Sequence, residues 1–280
     1  MVGTHAVRVH GDDIDFGVLD GLAGHWQGGN GFNMIAVPNQ KGDFELLIAP
    51  YTETLIINKV PATTPNRGLQ VIENIPTLQY STTITVLNLG SLMHVEGGFW
   101  ELSDPALNDG FDIFRIASVP HGNAVEAMGS SSLTPGPPVI DPALNGLPTG
   151  ALPKISGYTD AYIGIPKFPE FSPEYPNKTL INYLAEEQAQ GLNVISTVTL
   201  KVSTLNRGGI SNIASLQSNV VPTQFDATFW LETLQDGEGN IFRQLQYSQR
   251  TLIEFPISSD EPGETIVWPH INVNTLSLVI

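Results

Sequence analysis

The chain has 280 residues, enough to bury a full core as one large domain or as two smaller ones. Its 12 basic and 28 acidic residues leave a net charge of −16, which repels phosphate backbones and anionic lipid and argues against nucleic-acid or membrane partners. There is no cysteine, so disulfides, thiolate metal sites and cysteine nucleophiles are excluded, and a cytoplasmic setting is the expectation.

Charged residues make up only 14% of the chain, unlike a solvated, disordered acidic protein. Residues 1–15 contain no apolar run after a basic segment, so no secretory signal is expected. No window is long and apolar enough for a membrane span.

In chain order, Asp20-Gly21-Leu22-Ala23 reads as a short helical turn leading into Gly24-His25-Trp26-Gln27-Gly28-Gly29-Asn30-Gly31. This is either a first strand whose Trp26 plugs one end of a barrel, or a glycine-rich loop around one packed Trp. It is not a phosphate loop, because it lacks the Lys and the strand-to-helix context. Residues 44–58 read as one bent strand or two short ones, and 61–68 as a turn-rich connection. A β-branched run at 78–89 is followed by its antiparallel neighbour at 91–100. Within that second strand His94 and Glu96 share a face, since alternate residues point the same way. A polar pair there is either solvated or aimed into a cavity. Residues 111–120 and 123–128 form a predicted hairpin turning at His121-Gly122.

Residues 130–176 are rich in proline and poor in periodicity, with Tyr158, Tyr162, Phe168, Phe171 and Tyr175 as aromatic anchors. A stretch of this kind inside a domain reads as an ordered flap or lid. Residues 179–190 are the one convincing helix, with a Leu180, Tyr183 and Leu184 stripe for packing and Gly191 as its stop. Three alternating strands follow, through Val198 and Leu200, through Phe225 to Leu231, and through Leu245 to Ile253. The last strand places His270, Asn272 and Asn274 on one face. Many antiparallel strands with one helix predict an all-β fold, a closed antiparallel barrel with one short helix. No composition break divides it, so residues 1–280 are expected to form a single β-barrel domain. The barrel segments are about 20–130 and 190–280, and a long Pro-rich flap insertion covers about 130–180.

A resemblance rests on five motifs in order: Gly24-x-Trp26-x-Gly28; Tyr51-x-Glu53; His94-x-Glu96-x-Gly98-Phe99-Trp100; Pro120-x-Gly122-x-x-x-Glu126; and His270-Ile271-x-Val273-x-x-Leu276. Together they resemble the nitrobindin family, lipocalin-like (fatty-acid-binding-protein-like) β-barrels of the calycin type that hold ferric haem. The resemblance covers roughly 20–130 and 190–280; the 130–180 segment has no counterpart in the compact members. It implies haem b as cofactor, with His270 as the metal ligand and Trp26, Met93 and His94 among its contacts. It also implies chemistry on nitric oxide, peroxynitrite or peroxide, of an isomerase or peroxidase-like kind. His94, Glu96 and His25 are this chain's own candidate catalytic groups. The expected partner is a small molecule (a diatomic gas, a peroxide or an apolar compound), and a homodimer is the assembly to test for. The chain departs from the family pattern at His25, where Thr is usual, and at Asn30, where Gly is usual. It also lacks the Leu after the terminal-strand His and the closing Arg.

Two further readings of the same residues remain open. One is a haem-free barrel for a small apolar ligand, with the insertion as lid. The other is a cofactor-free enzyme in which His94 and Glu96 act as an acid–base pair.

Overall fold

The computed structural model describes residues 14–38, 44–66, 73–142, 144, 146–147, 149–150, 170–217, 220–256 and 265–279. The barrel strands of the first half are β1 (Gly24–Pro38), β2 (Phe44–Lys59), β5 (Thr77–Val86), β6 (Leu92–Leu102), β7 (Ile113–Val119) and β8 (Asn123–Pro135). Those of the second half are β10 (Asn193–Asn212), β11 (Val221–Gln235), β12 (Ile241–Pro256) and β13 (Thr265–Val279). Two short strands, β3 (Thr64–Pro65) and β4 (Asn74–Ile75), pair with each other, and β9 (Thr149–Gly150) adds to the start of β13. Every barrel strand is antiparallel to its neighbours, in the order β1-β2-β5-β6-β7-β8-β10-β11-β12-β13. Pairing of β13 back onto β1, from His25↔Val279 to Met34↔Ile271, closes the ring. Closure leaves no barrel edge free to template aggregation.

Alternation along the strands explains why these residues close a barrel. On β5 Leu78, Tyr80, Thr82 and Ile84 are buried while Gln79, Ser81 and Thr83 are exposed. The same period of two places Phe225, Ala227, Phe229 and Leu231 of β11 in one interior core with Leu245 and Tyr247 of β12. Gly98, inside the motif of β6, has a backbone reason. A Cβ there would lie 1.9 Å from the Ile116 carbonyl oxygen of the neighbouring strand, so only glycine lets β6 and β7 approach this closely.

One end of the barrel is plugged. A 3-10 helix, Gly17–Leu22, buries Leu19 and Leu22 under the strands, and the Trp26 indole Nε1 donates to the Leu22 carbonyl at 2.8 Å. The plug expected of Trp26 is thus formed by Trp26 and this helix together.

The helix Lys178–Ala189 packs on the outside of the wall. Its Leu180 is fully buried in a cluster with Phe32 and Met34 of β1, Trp230 of β11, and Ile271 and Val273 of β13. Gln246 of β12 donates to the Leu180 carbonyl at 3.2 Å. Beneath the helix, Glu232 is wholly buried, and Gln244 donates both to it, at 2.7 Å, and to Glu187 of the helix, at 3.0 Å. Burial pushes the Glu232 carboxyl up to about 8; Gln244 opposes the shift and Glu187 adds to it.

Of the two readings of residues 44–58, the structure has the single strand, β2. One expectation needs correction. The segment expected to be flap from 130 onward is strand as far as Pro135, because Ser130 to Pro135 pair with Lys201 to Ser196 of β10. A serine run reads as loop, yet here Asp112 accepts from both the backbone and the hydroxyl of Ser131 and holds it in the ladder. The described parts of the remaining flap sit on the outer wall: Ile140 and Phe171 join the cluster around Leu180, and Phe171 stacks on Phe32 at 5.1 Å. Tyr158, Tyr162 and Phe168 lie outside the described residues.

Candidate functional site

Ten strands make a barrel wider than the eight that side chains can just fill. The space left inside is a cavity of about 440 Å³ that reaches from Leu22 at the plug to Leu216, Val220 and Pro222 at the open end. Exposed His121 in the β7–β8 turn marks the mouth. None of the described residues of the 130–180 segment lines it.

A belt of polar side chains crosses the barrel between plug and mouth, supplied by inward positions of six strands. On one side Glu96 of β6 accepts from Tyr80 of β5 at 2.5 Å and from Arg115 Nη2 of β7 at 2.5 Å. Arg115 also donates to Gln249 of β12 at 3.2 Å. Its guanidinium lies 5.0 to 5.8 Å from the ring centres of Phe225, Tyr80, Phe229 and Trp100, a cage that favours a cation through the ring faces. Burial alone would raise the Glu96 carboxyl, but the Arg115 charge outweighs it, with help from His94 and Tyr80, and holds it at about 2. Glu96 is therefore a fixed anion.

On the other side Glu53 of β2 accepts from Tyr247 at 2.5 Å, Asn274 at 2.9 Å and Thr82 at 2.8 Å. The Tyr51 and Tyr247 hydroxyls meet at 2.7 Å and extend the chain. Burial pushes the Glu53 carboxyl up; the three donors pull it back, and nearby Glu96 adds to the rise. The barrel thus carries one carboxylate paired with a cation and one that burial biases toward the neutral acid.

Nearer the mouth stand three imidazoles. His94 contacts Glu96 at 3.5 Å, and its ring centre lies 5.5 Å from that of His121. His270 of β13 projects inward with Nε2 2.7 Å from Asn33 Oδ1 of β1 and 3.4 Å from Asn272 Nδ2. Burial, with His94 and His121 nearby as potential like charges, drives the His270 imidazolium down to about 4. At neutral pH it is an uncharged imidazole facing a largely apolar space that includes Ile35, Ile84, Val119 and Ile253.

The structure sorts the residues singled out from sequence. His94, Glu96, Met93 and His270 all line the cavity. Met93 reaches it because β6 bulges there: His94 pairs with Ile84 and Leu92 with Thr85, so Met93 is the extra residue. His25 does not join them. It is exposed on the outward face of β1, as alternation requires when the neighbouring Trp26 points in. Trp26 belongs to the plug and does not line the cavity, so neither it nor His25 meets anything bound there. The His94–Glu96 pair shares a face as expected, and Glu96 also accepts from Arg115, whose charge keeps its carboxyl low.

Sequence reasoning missed Arg115, Asn33 and Tyr80. The signal for Arg115 was present: a lone Arg between Ile113 and Ala117 on an otherwise apolar strand face is the pattern of a buried, paired charge. Among the described residues no three His, Asp or Glu side chains are placed to hold a metal ion. Also among them, no helix is long and apolar enough to cross a membrane.

No protein-family model matches the chain, and no curated protein does. Among solved structures, the crystal structure of Rv2717c from M. tuberculosis is similar, with a TM-score of 0.45 and 14% identity over 94% of this chain and 95% of that one.

Proposed function

We propose that the protein is a haem-binding barrel of the nitrobindin type, with His270 as the iron's protein ligand. The observation that carries this reading is the inward-facing, neutral imidazole of His270 on the closing strand, at the position the family resemblance assigns to the ligand. The donor chemistry fits. A neutral imidazole is a common proximal ligand, and His270 keeps one ring nitrogen unprotonated well below neutral pH. The apolar wall of Ile35, Ile84, Met93, Val119 and Ile253 suits a flat hydrophobic ring system, and the mouth at His121 would let a polar edge meet water.

When bound, ferric haem would supply a centre for diatomic ligands and peroxide; nitric oxide, peroxynitrite and peroxide are the substrates the resemblance suggests. The chain's own part is to bind and orient. His270 holds the group from the β13 side. His94, oriented by Glu96, is an inward imidazole able to give or take a proton in the same space.

Titration of the purified protein with hemin tests this. The expected result is a Soret band distinct from that of free hemin, abolished in His270→Ala and retained in His25→Ala. A spectrum unchanged by His270→Ala refutes the assignment. The mostly apolar cavity also supports the second reading, a haem-free site for a small hydrophobic ligand. An apolar fluorescent probe that binds tightly while hemin does not would favour it.

A further inference from the structure

Two amides converge on one nitrogen of His270, and they make opposite demands. Asn33 Oδ1, at 2.7 Å from Nε2, can only accept and so requires a proton on that nitrogen. Asn272 Nδ2, at 3.4 Å from the same Nε2, can only donate and so requires a lone pair there. The first distance is that of a good hydrogen bond and the second lies at the outer limit, so the Asn33 contact decides. The proton of the neutral ring sits on Nε2, and the lone pair is on Nδ1. Asn33 is well placed to impose this. It is only 8% exposed, on β1 directly opposite Asn272 of β13, so water does not readily take its place.

We propose that Asn33 is a latch on His270, fixing the Nε2–H tautomer of the ligand-free protein and competing with any incoming ligand for that nitrogen. The tautomer follows from hydrogen bonding alone. The competition rests on the haem reading: a ligand bonding to Nε2 would have to displace the Asn33 bond first. Asn33 is accordingly a positioning residue, and its removal should strengthen binding rather than weaken it.

Long-range proton–nitrogen NMR of 15N-labelled, ligand-free protein at pH 7 reads the tautomer, with the His270 signals assigned by their loss in His270→Gln. The wild type should show the Nε2–H form and Asn33→Ala a mixture. Hemin titration of the same samples should show Asn33→Ala binding roughly five-fold tighter, the worth of one neutral hydrogen bond no longer broken. Asn33→Asp, a near-isosteric replacement that guards against misfolding of the alanine variant, should retain Nε2–H, raise the His270 titration midpoint and weaken hemin binding. An Nδ1–H tautomer in the wild type overturns the latch whatever hemin does. An Nε2–H tautomer with weaker binding in Asn33→Ala overturns the competition and makes Asn33 a supporting partner instead. Failure of every variant to bind hemin, with the tautomers as expected, removes the haem reading and leaves the latch standing.

Discussion

Arg115→Met is the perturbation that most directly tests how the barrel interior is held. The side chain keeps an unbranched apolar stem but is shorter and loses its charge, leaving Glu96 buried with Tyr80 and His94 as its remaining polar contacts. In the native protein the Glu96 carboxyl sits at about 2 against an ordinary 4.5, which corresponds to roughly 3 kcal/mol of stabilisation at neutral pH. That contribution is present above pH 4.5 and is lost as pH falls toward 2. Removing one member of a buried ion pair costs about 3–5 kcal/mol, because the survivor keeps its burial penalty without its partner. The loss of the cation from its cage of four rings acts in the same direction.

Urea unfolding at pH 7 should therefore show Arg115→Met weakened by about 3–5 kcal/mol, a large part of a total near 5–15 kcal/mol. Without Arg115, burial dominates and the Glu96 carboxyl rises above its ordinary value. The variant's deficit should then shrink between pH 7 and pH 5, as the buried acid takes up its proton. Adding Glu96→Leu to Arg115→Met should recover part of the loss, since no charge is then buried. A deficit below about 1 kcal/mol, or one that does not change with pH, would show that water reaches Glu96 and that the pair is not the buried structural element described above.

Four other outcomes follow from the same geometry. Glu232→Gln should stabilise the protein by roughly 2–4 kcal/mol at pH 8, because the raised carboxyl favours the fold only while protonated, fully below 4.5 and less as pH climbs toward about 8. Denaturant midpoints for variant and wild type should converge near pH 4.5. His270 has the reverse sense: with its imidazolium driven down to about 4 from 6.5, the fold loses up to roughly 3 kcal/mol as pH drops across that window, and His270→Gln should flatten the profile there. Tyr247→Phe removes a hydroxyl bonded to both Glu53 and Tyr51 and should cost about 1–3 kcal/mol in thermal or urea unfolding. Gly98→Ala would drive a methyl into the Ile116 carbonyl, so separation of β6 from β7, read as faster amide exchange on both strands, is the expected effect.

The all-β barrel was legible because burial alternates along most of its strands, and the terminal strand showed His270, Asn272 and Asn274 on one face. What sequence did not carry was the meeting of strands far apart in the chain. Asn33 touches His270 across the closing seam of β1 and β13, and no local pattern announces a contact spanning the whole chain. The destination of Arg115 was hidden for the same reason, since its aromatic cage draws on β5, β6 and β11. His25 misled because a histidine beside the plug Trp resembles a pocket residue until the strand's period is fixed by which neighbour points in. The serine run after residue 129 misled because hydroxyl residues satisfy loop and strand equally, and only the partner strand decides.

The belt also constrains what the cavity can accept. Of its formally charged lining groups, Arg115 is matched by Glu96, and Glu53 is saturated with donors from Tyr247, Asn274 and Thr82. A ligand descending from the mouth thus meets a floor whose charges are already matched, with Arg115 Nε the one buried donor of that guanidinium left without a partner, and an anion buried there would find no spare positive charge. Above the floor, the groups able to respond to a guest are the imidazoles His94, His121 and His270 and the amides Asn33 and Asn272. Imidazoles and amides both offer donor and acceptor atoms, and they adapt by moving a proton or turning an amide. Discrimination is therefore concentrated in the upper half of the barrel. Substitutions at His94 or Asn33 should change what binds more than how stable the protein is, and substitutions at Arg115 or Glu53 should do the opposite. Parallel hemin titration and urea unfolding of Asn33→Ala and Arg115→Met would separate the two halves. Equal effects on stability from both variants would mean that the belt and the mouth are one cooperative unit.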